Sequence, residues 1–175
     1  MIQKQRKKLL NLLKIVVSTA FIVFALAFPV LNAASSARLT NFVYPILAPE
    51  KSSDFGIRKH PIYKSVKHHD GVDLAAPKGA PIRSIMDGWV VHASSYARYG
   101  KLVTVRHDND VTSHYAHCDD IKVKVGEHVK AGQIIGTVGE TGSATGPHLH
   151  FEIRFDGKPY DPERLVPDLM SQAKG

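Results

Sequence analysis

Beyond the first 37 residues the apolar positions fall in short runs rich in Val and Ile, separated by Gly, Asp, Asn and Pro. That spacing predicts strands, and no helical period of useful length interrupts it. Residues 81–86 and 89–93 flank Asp87-Gly88, a two-residue hairpin signal. Residues 101–107 and 111–116 flank Asp108-Asn109-Asp110 and predict a second hairpin. Further strands are expected at 123–129 and 134–138, around Gly126 and Gly132, and at 148–155, which runs into Asp156-Gly157. Together they predict an all-β domain of stacked or curled antiparallel sheets.

The segment 148–155 is the most informative. Leu149, Phe151, Ile153 and Phe155 alternate with His148, His150, Glu152 and Arg154. Successive strand residues point to opposite faces, so the apolar set packs on a core and the two histidines share the other face.

Ahead of the strands lies a basic start and then an apolar run, 15–31, broken only by Ser18, Thr19 and Pro29 and followed by small residues at 33–37. This is the pattern of an export signal, either cleaved or kept as an anchor in the cytoplasmic membrane. In both cases the basic flank stays inside and the remainder is delivered outside. The expected division is a leader at 1–37, a linker with Pro45 and Pro49 at 38–53, one domain at 54–167 and a tail at 168–175. A chain of 175 residues has room for one such domain and one active site.

The formal charge of +7 does not point to nucleic acid. Lys4, Arg6, Lys7, Lys8 and Lys14 belong to the leader, which holds no acidic residue, so the rest carries 7 − 5 = +2. Cys118 is the only cysteine, so no intramolecular disulfide forms, and it reads as a small buried hydrophobe.

Ten histidines are many for this length, and several sit among metal-ligand partners, most notably in His69-Asp70-Gly71-Val72-Asp73, Tyr115-Ala116-His117 and His148-Leu149-His150. Two neutral imidazoles and one carboxylate with an open fourth position make a hydrolytic zinc site. His69, Asp73 and one of His148 and His150 supply that set. The remaining histidines, His117 among them, suit proton transfer and oxyanion stabilisation near neutral pH. Gly71, Val72, Pro77 and Gly79 argue that His69 and Asp73 meet through a turn and not a helix. The helix-borne His-Glu-x-x-His motif is missing from the sequence.

At these residues the chain resembles the lysostaphin-type zinc endopeptidases, which include the LytM-like cell-wall hydrolases. The likeness covers about 53–166. It rests on His69-x-x-x-Asp73, on His148-x-His150, on Phe55-Gly56-x-Arg58-x-His60-Pro61 and on the stretch 142–152. The resemblance implies the antiparallel β groove of that peptidase domain. It implies Zn2+ held by His69, Asp73 and His150, and His117 and His148 as the unligated catalytic pair. It further implies an exported enzyme of the periplasm or cell envelope that acts on peptidoglycan, with the inner membrane as a partner if the leader is uncleaved. Where the family has Leu after the catalytic histidine this chain has Cys118, a change expected to alter packing more than chemistry, although a thiol next to His117 could compete for zinc under metal excess.

Other residues read as supporting. His60, His92, His107 and His128 are surface or hydrogen-bonded histidines, and His68 points away from His69. His114 is a candidate groove residue, Arg58 a brace for the Asp73 loop, and Glu152 an orienting partner for a ligand. Trp89, Tyr96 and Tyr99 are equally suited to core and groove wall. The glycine-rich stretch 123–138 has the look of a biotinyl or lipoyl carrier, but no Met-Lys-Met tip accompanies it. LytM-like domains that have lost zinc ligands act as activators of other hydrolases; this chain keeps the full set.

Overall fold

The structure, a computed structural model, describes residues 42–59, 65–108 and 110–165. The leader and the tail lie outside the described residues. Twelve strands follow in order: β1 Glu50–Ser53, β2 Gly56–Lys59, β3 Val66–His69, β4 Val72–Ala75, β5 Pro81–Arg83, β6 Gly88–Ser95, β7 Lys101–Arg106, β8 Val111–Ile121, β9 His128–Val129, β10 Ile134–Val138, β11 His148–Phe155 and β12 Lys158–Tyr160. A 3-10 turn at Ala97–Tyr99 and a short helix, α1 at Pro162–Leu165, complete the described elements. The fold is the antiparallel β fold that the hydrophobic pattern predicts.

One large sheet runs in the order β1-β4-β11-β8-β7-β6-β9, with β12 on β11 and β10 bridging β8 and β5. A separate ribbon pairs β2 with β3. In the centre, Leu149 and Phe151 of β11 lie opposite Leu74 and Val72 of β4, and Phe151 lies opposite Tyr115 of β8. Residues directly across a pair share a face. These side chains join Val103, Val105, Val90, Ile82, Ile85, Ile135 and Val138 in one buried core. Burying each of the larger members contributes roughly 1.5–3 kcal/mol. The same register turns His150, Asp73 and Glu152 to the opposite face.

One edge of β8 serves two partners, while β7 pairs along the other. Residues Val111 to Ala116 pair with β11, whereas Cys118 to Ile121 pair with β10. The pairing of β8 therefore changes partner at His117, and Gly139, just past β10, bridges to His148 at the start of β11.

Three expectations need correction. Asp87-Gly88 does not close a hairpin, because β5 pairs with β10 while β6 pairs with β7 and β9. The Asp87 carboxylate is occupied by Ala131 N at 2.8 Å and Lys130 Nζ at 2.8 Å. Gly88 is small for a different reason: a Cβ there would sit 2.5 Å from the Arg106 carbonyl oxygen. The strand expected at 123–129 shrinks to β9, since 123–127 is occupied by a turn. Residues 42–53, read as linker, are part of the folded unit: Ile46 is in the core, Val43 N donates to the Ile85 carbonyl, and β1 pairs with β4. The antiparallel pairing of β7 with β8 and the strand 148–155 are where the pattern puts them.

Gly71 fixes the approach of the turn between β3 and β4 to β11. A Cβ at this position would meet the Phe151 carbonyl oxygen at 2.3 Å and Glu152 Cγ at 2.9 Å. Backbone cannot yield as a flexible side chain does, so Gly71→Ala is expected to lower unfolding free energy by about 2 kcal/mol or more. Chemical denaturation checks this; a variant as stable as the parent would show that the turn is looser than described.

Candidate metal centre

The ribbon β2-β3 hands the chain to the main sheet through Asp70 and Gly71, so His69 at the end of β3 and Asp73 on β4 come together across a turn. Opposite Asp73 in the register stands His150 of β11. The three are buried, at 8%, 9% and 7% exposure. His69 Nε2 lies 3.1 Å from Asp73 Oδ1 and 3.0 Å from His150 Nδ1, and His150 Nδ1 lies 2.8 Å from Asp73 Oδ1.

Hydrogen-bond arithmetic shows what this triangle needs. His69 Nδ1 is 2.7 Å from the Asp54 carbonyl oxygen, which only accepts, so Nδ1 carries the proton. In neutral His69 the Nε2 is then a bare lone pair. His150 Nε2 is 2.9 Å from Glu152 Oε1 and donates to it, which leaves Nδ1 as the lone pair in the neutral ring. Asp73 Oδ2 is taken by Arg58 Nη2 at 3.1 Å, and Oδ1 faces the two nitrogens. Three acceptors thus converge on one point, and only a cation satisfies all of them. Ligand atoms around an ion with bonds of about 2.0–2.1 Å stand roughly 3.3 Å apart in a tetrahedron, close to the edges seen here. The donor set fits zinc.

The charges respond in kind. Burial pushes the Asp73 carboxyl up, but hydrogen bonds from His150 and His69 outweigh it and hold the group well below the usual carboxylate range. Burial pushes His150 down, yet hydrogen bonds to Asp73 and Glu152 prevail and raise it to about 9. Without a metal, a proton supplies the positive charge that the site demands.

His117 reaches the same space by an irregularity of β8. Val103 lies opposite Tyr115 and Lys101 opposite Cys118, so β8 has one residue more than β7 across this interval. The extra residue is accommodated with His117 at φ 61°, in the left-handed region. Regular alternation would put His117 on the core face with Tyr115 and Ser113. The bulge turns it to the face of His150. Its Nδ1 donates to the Thr141 carbonyl at 2.7 Å, and His148 Nδ1 donates to the Gly146 carbonyl at 2.8 Å. The two rings are 4.7 Å apart, and His148 Nε2 is 3.8 Å from Asp73 Oδ1. Both imidazoles, when neutral, present Nε2 lone pairs. Burial, opposed by the Thr141 carbonyl, holds His117 down at about 4.

All five residues singled out in the sequence line one cleft, whose walls include Arg58, Lys67, Arg98, Tyr99, Ser143 and Thr145. His68 is not among the converging ligand atoms; bonded to Asp70 at 2.8 Å, it lines the same cleft. His114 sits behind the cleft between Thr104 and Thr112, and His107 bonds the Asp87 carbonyl and Ser113. His92 and His128 touch Tyr96 and Trp89, away from the cleft, while His60 lies outside the described residues. Cys118 is fully buried, bonded to the Tyr115 carbonyl, and burial raises its thiol to about 12, so it does not compete for metal at the cleft. Sequence reading missed the carbonyls of Asp54, Thr141 and Gly146 that orient three of the histidines. Any residue carries a carbonyl, so no side-chain pattern marks them.

With this geometry in place, comparison with known proteins is informative. The model of peptidase family M23 matches residues 67–162. Mpg of Neisseria meningitidis, named a DD-carboxypeptidase/endopeptidase, is 42% identical over 135 residues, which are 75% of this chain and 31% of Mpg. ShyC of Vibrio cholerae, named a peptidoglycan DD-endopeptidase, is 46% identical over 123 residues, 69% of this chain and 28% of ShyC. NlpD of Salmonella dublin, named a murein hydrolase activator, is 45% identical over 98 residues, 55% of this chain and 26% of NlpD. The chain thus spans less than a third of the length of these curated relatives. A crystal structure of a zinc-containing peptidase from Vibrio cholerae superposes with a TM-score of 0.64 at 38% identity, covering 69% of this chain and 38% of that one.

The pKa directions give a test. Desolvation holds both His117 and His114 at about 4, below the 6.5 of an unfolded histidine. Each contributes stability above pH 6.5 that is lost as the pH falls toward 4, because the unfolded chain then binds a proton that the folded one refuses. His150 works the other way in the metal-free protein: its contribution is present below 6.5 and lost as the pH rises through about 9. NMR titration of the metal-free domain should find the His114 and His117 rings neutral at pH 5.5; a midpoint near 6.5 for His117 would contradict its buried setting.

Proposed function

Because the chain belongs to peptidase family M23, we propose that it is a zinc endopeptidase that hydrolyses peptide cross-links of bacterial peptidoglycan in the cell envelope. The observation that carries this reading is the convergence of three lone pairs from His69, Asp73 and His150 beside two further histidines in an open cleft. The relatives named DD-endopeptidases favour cross-links between stem peptides as the bond cut.

His69, Asp73 and His150 are the proposed zinc ligands. Bound there, zinc supplies a Lewis acid and lowers the pKa of water to roughly 7. His117 is the proposed general base: neutral at physiological pH, its Nε2 lone pair is held toward the cleft by the Nδ1 bond to Thr141. Having taken a proton, the same nitrogen becomes a donor and returns it to the departing amine. His148, oriented from behind by the Gly146 carbonyl, is placed to donate to the developing oxyanion when protonated. Arg58 holds Asp73 Oδ2, leaving Oδ1 for the metal.

The likeness to NlpD raises a second reading, a non-catalytic activator of another wall hydrolase. Retention of all three ligand side chains and both further histidines in one cleft favours activity. The basic, apolar leader supports delivery to the outside of the cytoplasmic membrane.

Ligand and catalyst separate by experiment. His150→Ala and Asp73→Ala should lose zinc and wall hydrolysis together. His117→Ala and His148→Ala should keep zinc and lose roughly 10²- to 10⁴-fold in rate. Metal analysis beside a peptidoglycan digestion assay decides it, and zinc retained in His150→Ala but lost in His148→Ala would exchange the two roles. A zinc-loaded parent that releases no fragments would favour the activator.

A further inference from the structure

Glu152 stands on β11 two residues beyond His150, on the same face, with no exposed surface. A buried carboxylate is costly unless it is paired and hydrogen-bonded. Here every direction is used. Oε1 accepts from His150 Nε2 at 2.9 Å and from the Tyr99 hydroxyl at 2.8 Å. Oε2 accepts from Arg154 Nε at 2.6 Å, and the guanidinium completes an ion pair with it. Arg154 Nη2 also donates to the Tyr99 hydroxyl at 3.2 Å, closing a ring of three side chains. The same guanidinium lies 3.7 Å from Asp70 Oδ2, in the turn that carries His69.

An ion pair of this kind is not needed for burial alone, since an apolar side chain fills such space at less cost. Of the groups bonded to this carboxylate, the His150 ring is the one with a choice of tautomer; His114, its cross-strand neighbour, bonds Thr104 and Thr112 instead. Neutral imidazole has two tautomers, and only the one protonated at Nε2 turns a lone pair on Nδ1 toward His69 and Asp73. A fixed acceptor at Nε2 removes the other tautomer.

We propose that Glu152, clamped by Tyr99 and Arg154, is a positioning residue for the metal ligand His150: it locks the ligating tautomer and ties that ligand to the cleft wall at Tyr99 and to the Asp70 turn. The proposal rests on the zinc site argued above. Tyr99 belongs to the 3-10 turn that walls the cleft, so the clamp joins the surface that meets substrate to the geometry of the centre.

The test is zinc affinity of the full chain, measured by competition with a chromophoric chelator, with the absorption spectrum of the cobalt-substituted protein beside it. Glu152→Gln should bind zinc about 10- to 100-fold more weakly and change the cobalt spectrum while near-UV circular dichroism stays that of the parent. Tyr99→Phe, which keeps the buried Glu152–Arg154 pair, should weaken zinc by about two- to tenfold. Folded Glu152→Gln with the parent's zinc affinity and cobalt spectrum would overturn the assignment. Should Glu152→Gln fail to fold, Tyr99→Phe decides, and unchanged affinity there overturns the clamp. A parent chain that binds no zinc in the same titration would instead remove the metal site itself, a result separable from any variant.

Discussion

Three acceptor atoms from His69, Asp73 and His150, each within 3.1 Å of the next and nearly shut off from water, repel one another unless positive charge stands among them. The rest of the molecule can be read as the apparatus that holds this arrangement. The β4-β11 register places Asp73 against His150, and Gly71 lets the turn carrying His69 lie against the same strand. The Asp54 carbonyl, Glu152 and Arg58 occupy the outward atoms and leave only inward lone pairs. The core residues that alternate with the ligands on β4 and β11 hold the two strands together from the other face.

Much of this is legible in the residues. Alternation over 148–155 requires His148 and His150 to share a face, and the structure obeys it because Leu149, Phe151 and Ile153 have no other place than the core. The strand over 101–106 and its antiparallel partner follow for the same reason. Asp87-Gly88 misleads because the same dipeptide answers two different needs. Here the carboxylate receives Lys130 and Ala131, and the glycine admits the Arg106 backbone. The linker reading of 38–53 fails from residue 42 onward because two prolines mark an irregular path, and an irregular path is able to run through a core as Ile46 does. Within the site, the five residues were grouped by type and spacing. The carbonyls that fix their tautomers had no sequence signal at all.

The electrostatics divide the histidines into kinds. His150, between two carboxylates, is driven toward positive charge, whereas His117 and His114, desolvated with weaker compensation, are driven away from it. Residues of one chemical type thereby acquire opposite tendencies within one small volume. What distinguishes them is the partner behind each ring: Glu152 behind His150, a peptide carbonyl behind His117.

The bulge in β8 leaves position 117 with two conflicting preferences. A backbone at φ 61° suits glycine or asparagine, and holding another L-residue there costs roughly 1–2 kcal/mol. The imidazole is therefore held at a backbone conformation that few side chains favour, while its own hydrogen bond and burial favour keeping it there. Glycine at this position would relieve the main chain but leave the Thr141 carbonyl without its donor and a space where the ring had been, so the backbone and the side chain at position 117 pull in opposite directions.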